Sequence, residues 1–456
     1  SSIALGSGEH VAKVAAAELN GGAKLSAWVT YFTSSSAASA SAKVKRRPAP
    51  VALKEKDKDD GIERAVAEVA PPADKAKPKP KPKPKEQPKE PPKEKAVVER
   101  DDAPAARLEV RPISSGAATL ASLQKPVVIS LNALSIGGVA LAPAPAIGNH
   151  PPETLLAWVG KERGEPQVFV TKLGPDGKKL AQKGVTVIAR KKQSKNGLPS
   201  EPSDVAAAFD GQDGWIVAWV DTRDGDAEIY VAKVDRSMTK IVPDKRVTDA
   251  AGDAADVQLI VRGKETWVAW SDARGNPEEN GGDIYLARLE TAGLKKLAPE
   301  TRIFASKENS RSPEFTRTPS GVLLSWIEAV PESKTGETDP DAGLRVAELD
   351  ERGTVIGAPI LVRAPGEATL TSAHLACPER PCRGVVTMAS KDAVELAAFT
   401  LPQGGQVSRL KTISALTGGA TADPSLAFAS ADPTALFFSD DTTSGQGRVR
   451  WMQLAW

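Results

Sequence analysis

Cysteine, histidine and methionine are scarce, with two, three and three residues in a chain of 456. Two cysteines exclude a disulfide-dense scaffold and a four-thiolate zinc site. His10, His150 and His374 show no ligand spacing, and no Gly-x-Ser-x-Gly segment accompanies them, which argues against a Ser-His-Asp hydrolase. No run of about 18 apolar residues occurs, so no transmembrane helix is expected. Neither charge dominates: 60 basic against 58 acidic residues argue against a specific nucleic-acid partner. No initiator methionine or signal segment is visible, so the sequence is expected to be a trimmed or mature form whose cellular address is not legible.

Aromatic residues are missing from 34–104 altogether. That stretch opens with "SSSAASASA" and reaches "KPKPKPKPKEQPKEPPKEK", from Lys77 to Lys95. Without aromatics it cannot bury enough apolar surface to offset the entropy of ordering, so a disordered Ser/Ala- and Lys/Pro-rich insertion is expected. Lys-Pro alternation favours an extended polyproline II chain of about 3.1 Å per residue. Its lysines could follow an anionic surface, and an inert spacer is the simpler reading.

What the chain does contain is a repeat. "VAWVDTRDGDAEIY", Val217–Tyr230, returns as "VAWSDARGNPEENGGDIYLARLE" over Val268–Glu290, with Trp219 and Trp270 lying 51 positions apart. Looser copies centre on Trp158 and Trp326, put Met388 in the tryptophan place, and end with Phe438 ahead of Ser439-Asp440. These six units begin every 50 to 62 residues. Each opens on a short apolar run bounded by Asp and Gly, with further short runs on either side. Four antiparallel strands per repeat is the pattern of a β-propeller blade.

A further core strand, "AKLSAWVTYF", carries Trp28 and lies 130 residues before Trp158. "AARLEVRPISSGAATL", just after the insertion, matches "LARLETAGLKKL" of the Trp270 unit. The expected architecture is therefore an all-β, seven-bladed β-propeller of four-stranded antiparallel blades, with blade 1 split by the insertion. Residues 1–33 start the propeller, 34–104 are inserted, and 105–456 complete it. The opening "SSIALG" is expected to supply the fourth strand of the last blade, so that pairing of the N- and C-terminal segments closes the ring and removes its sheet edges. Trp28, Trp158, Trp219, Trp270, Trp326, Met388 and Phe438 are the expected repeat-core residues.

Asp221, Asp224, Asp226 and Glu228 could ligate calcium, which favours several oxygen donors on a flexible loop. Their spacing departs from the EF-hand loop, and the Trp270 copy dilutes the acids. The plainer reading is a hairpin with Asp-Gly at its turn and a local Asp221/Arg223 pair. No other cofactor is indicated. Cys377 and Cys382, in "LACPERPCRGVV", flank a turn between two strands. Opposed positions there can reach disulfide distance, which would suit an oxidising compartment, and two free thiols are the alternative.

"SDARGNPEENGGDIYLARL" and "VDTRDGDAEIYVAKVD" resemble the repeat of TolB-type β-propellers, whose blades carry a Ser-Asp-Arg-x-Gly turn followed by Ile-Tyr. The chain departs from that family in lacking its Ser-Pro-Asp-Gly turn before the core strand. The resemblance implies a propeller fold and a periplasmic, extracellular or cell-surface setting, and it does not carry over that family's partner.

An enzyme of the sialidase type would need an arginine cluster, a tyrosine nucleophile and an acid. Tyr31, Tyr230 and Tyr285 are the only tyrosines. Two of them occupy a repeat position, which suits packing. The Asp-box motif is missing, and "DPDAGLRV" keeps only Asp341 and Gly343 of it. The expected function is a non-catalytic, monomeric binding or scaffold module, with no catalytic residues assigned. Its expected partner is an envelope or extracellular protein or an anionic polymer, and a sialidase-like propeller hydrolase is the alternative.

Overall fold

The computed structural model describes residues 2–8, 10–18, 23–31, 105–113, 125–134, 138–162, 165–180, 186–187, 201–275, 282–305, 309–329, 341–391, 393–404, 406–416, 426–429, 432–441 and 447–456. All of them belong to one compact unit formed by Ser1–Thr33 and Ala103–Trp456. The expected insertion over 34–104 lies outside the described residues.

The blade centred on Trp219 shows how local sequence becomes ring. Its strands are Ser203–Phe209, Gly214–Asp221, Glu228–Asp235 and Lys240–Arg246, antiparallel neighbours in that order. β-Branched and aromatic residues crowd the second strand, Gly-Trp-Ile-Val-Ala-Trp-Val-Asp, and every one of its residues is buried. Side chains alternate between the two faces of a strand, so an unbroken apolar run needs cover on both sides. Trp215, Val217 and Trp219 pack with Leu155, Val168 and Val170 of the preceding unit. Ile216, Ala218 and Val220 pack with Val268, Trp270 and Ala287 of the following one. Fully burying each such side chain contributes about 1.5–3 kcal/mol. The same two-sided cover continues around the molecule, through Trp267 with Trp326, Leu323 with Met388, Leu396 with Phe438, and Phe437 with Trp28.

The ring closes through its termini. Ser2–Gly8 pairs antiparallel with Gly447–Gln453, from Ser2 opposite Met452 to Gly8 opposite Gly447. Strands from both ends of the chain thus share one four-stranded sheet with Leu426–Ala429 and Asp432–Asp441.

The blade count differs from expectation: the structure has six blades, not seven. Five are four-stranded sheets, and the sixth is a single sheet of eight strands running from His10–Glu18 to Thr186–Val187. It contains the strands carrying both Trp28 and Trp158. Ala133 pairs with Gly160, and this contact joins what the repeat pattern separates into two units. Within this sheet Lys24–Tyr31 pairs with Ala105–Ile113, so the two strands flanking residues 32–104 are direct neighbours.

The first strands of successive blades lie side by side. Most carry a bulge in the same place. The register breaks at Val11/Lys13, Ser203/Val205, Ala255/Gln258, Arg311/Glu314 and Leu370/Ser372. Asp204, Asp256 and Ser312 take φ of 48°, 56° and 53° there, conformations that non-glycine residues rarely adopt.

Candidate functional site

The acidic turn after Trp219 is bound into the blade. Positions two apart on a strand share a face, so Asp221 follows Trp219 on the same side. The Trp219 indole N–H donates to Asp221 Oδ2 at 3.3 Å. Arg223 closes the turn, donating its backbone N–H to Oδ1 at 2.9 Å and its Nε to Oδ2 at 2.8 Å. Its Nη1 reaches Asp244 on the outer strand at 3.0 Å. The guanidinium lies over the Tyr230 ring at 4.4 Å, and that ring stacks on Trp219 with centroids 6.0 Å apart. Burial disfavours the charged guanidinium, but the two carboxylates outweigh it and raise the Arg223 pKa.

The arrangement recurs in the next blade. Trp270 Nε1 donates to Asp272 Oδ2 at 2.7 Å, and Arg274 bonds Asp272 at 2.6 Å and Glu300 at 2.5 Å. Its guanidinium lies 4.5 Å from the Tyr285 ring. A third version keeps the logic with other residues. Trp326 Nε1 donates to Glu328 at 2.5 Å, and Arg345 sits 3.6 Å from Glu328 and over Phe304 at 4.5 Å. In the last blade Arg450 pairs with Asp440 at 2.7 Å and lies over Phe438. An aromatic, an acid two residues on and an arginine thus form a repeated corner that ties strand ends together.

Three of the four candidate calcium ligands are engaged by other side chains. Asp221 is held by Arg223 and Trp219, Asp224 accepts the Tyr230 hydroxyl, and Glu228 accepts from Arg246 and Thr248. Asp226 is exposed. Among the described residues no group of three or more His, Cys, Asp or Glu side chains could hold a metal ion. Burial first, with the Arg246 and Thr248 bonds opposing it, leaves the Glu228 pKa above the ordinary carboxylate value.

The seven repeat-core residues are all buried, from 0% exposure at Trp28, Trp219, Trp270, Trp326 and Phe438 to 5% at Met388. Trp28 also donates to Glu109 at 3.2 Å, on the strand across the 32–104 gap in sequence. Tyr230 is buried, and its pKa is driven well above the ordinary tyrosine value by burial and by the adjacent Asp224. A hydroxyl held protonated in this way is a poor nucleophile. The Tyr31 and His10 side chains lie outside the described residues, and His150 is exposed in a loop bridging back to Ile147. Cys377 and Cys382 form a disulfide with Cα atoms 4.3 Å apart, closing the hairpin between Thr369–Ala376 and Cys382–Ala389.

One constellation was not legible from sequence. His374 Nδ1 lies 2.6 Å from Glu314 Oε1, joining two neighbouring first strands across 60 residues of chain. Neither residue belongs to a motif, and only the packing of adjacent blades brings them together.

These features define an all-β propeller of four-stranded antiparallel blades. Neither a protein-family model nor a curated protein sequence matches the chain. Solved structures match it in fold at low identity. An alpha-L-arabinofuranosidase of Fusarium graminearum, solved with arabinobiose, is 14% identical, with 71% of this chain and 95% of that one covered and a TM-score of 0.46. A neuraminidase-like protein from A/bat/Guatemala is 13% identical over 69% of this chain and 87% of its own, with a TM-score of 0.41. A putative TolB from Agrobacterium tumefaciens is 16% identical over 56% of this chain and 77% of its own, with a TM-score of 0.33.

Proposed function

We propose that the propeller is a non-catalytic, extracytoplasmic binding or scaffold module for a protein or anionic polymer. The observation that carries this reading is the engagement of the carboxylates at the repeated corner. Asp221, Asp272, Glu328 and Asp440 all hold an arginine beside a buried aromatic ring, as parts of the framework. A rigid ring of this kind presents loops at its faces for recognition. The Cys377–Cys382 disulfide supports an oxidising compartment, periplasmic or extracellular. No helix among the described residues is long and apolar enough to cross a membrane.

Residues 34–104 form, in this proposal, a Lys/Pro-rich arm inserted in the blade of Trp28 that spaces the ring from its surroundings. Direct pairing of the strands on either side of it supports that placement. Calcium bound at Asp221, Asp224, Asp226 and Glu228 would have to displace Arg223, Tyr230 and Arg246, so the proposal does without it.

A hydrolase is the second reading, and the His374–Glu314 pair favours it, because an imidazole beside a carboxylate can move a proton. The two are separated by assaying the intact protein and its His374→Ala variant on a panel of aryl glycosides and esters. The scaffold reading expects no turnover by either. Turnover by the intact protein that the variant loses would replace it with the hydrolase.

A further inference from the structure

We draw no further inference here: the strongest candidate, the surface row of exposed Leu180, Ile241, Leu297 and Ile356, each one residue after the partner of Leu173, Val234, Leu289 or Leu349 at the outer edge of its blade, carries nothing because nothing in the structure shows what covers it.

Discussion

Replacing Arg274 by methionine tests whether the repeated corner is a structural device. The substitution keeps a long apolar stem beside Tyr285 and removes both ion pairs, to Asp272 at 2.6 Å and to Glu300 at 2.5 Å. Asp272, 2% exposed, would keep only the Trp270 indole N–H and the backbone N–H of residue 274. Breaking a buried pair on one side costs about 3–5 kcal/mol. The Arg274 side chain is 19% exposed, and solvent screening brings the expected loss to about 2–4 kcal/mol. Unfolding entropy near 2.1 cal/mol/K per residue, over roughly 385 residues outside the insertion, gives about 0.8 kcal/mol/K. The melting temperature should therefore fall by about 3–5 °C, followed by circular dichroism. The double variant Asp272→Ala/Arg274→Met should be less destabilised than the two single losses summed, because the second change removes the stranded charge. A drop of less than about 0.5 kcal/mol, or strict additivity, would refute the structural role of the corner.

Other expectations follow from the same geometry. Cys377 and Cys382 close a loop with a sequence separation of 5, so Cys377→Ser/Cys382→Ser should cost about 2 kcal/mol, read as a lower melting temperature that reductant reproduces in the parent. Glu265 is held below the ordinary carboxylate pKa chiefly by Arg288. A depressed folded-state pKa gives stability that is present above the unfolded value and lost as pH falls through the folded one. Glu265→Gln should therefore be less stable than the parent at pH 7 and converge with it under acid, and a constant difference across that range would contradict the assignment. Millimolar calcium, or its chelation, should leave the melting temperature unchanged, because the acids of the Trp219 turn already hold Arg223, Tyr230 and Arg246; a saturable rise would restore the calcium loop.

Much of this framework is legible locally. The 51-residue offset between Trp219 and Trp270 identifies a repeat because a two-face-buried strand demands apolar residues at every position. The Cys377–Cys382 hairpin could be read because its cysteines flank a tight turn between adjacent strands. The partners that complete each corner could not, since Asp244 and Glu300 lie beyond the repeated motif and are selected by the return of the chain at the blade's edge. Joining of the Trp28 and Trp158 strands into one sheet was equally hidden. It turns on the Ala133–Gly160 contact, where the acid found two residues after Trp219 or Trp270 is replaced by glycine. His374 and Glu314 meet only because successive first strands lie side by side. Sequence periodicity reports which faces of a strand are covered, and says little about which residue of the next blade does the covering.

The most direct test of the scaffold account is paired capture from a cell-envelope extract, using the full chain and a chain lacking residues 34–104, each first shown to melt cooperatively. The account predicts that both chains fold and retain the same partners, which assigns recognition to the ring. Loss of the partners from a folded, shortened chain would contradict it and transfer recognition to the Lys/Pro segment.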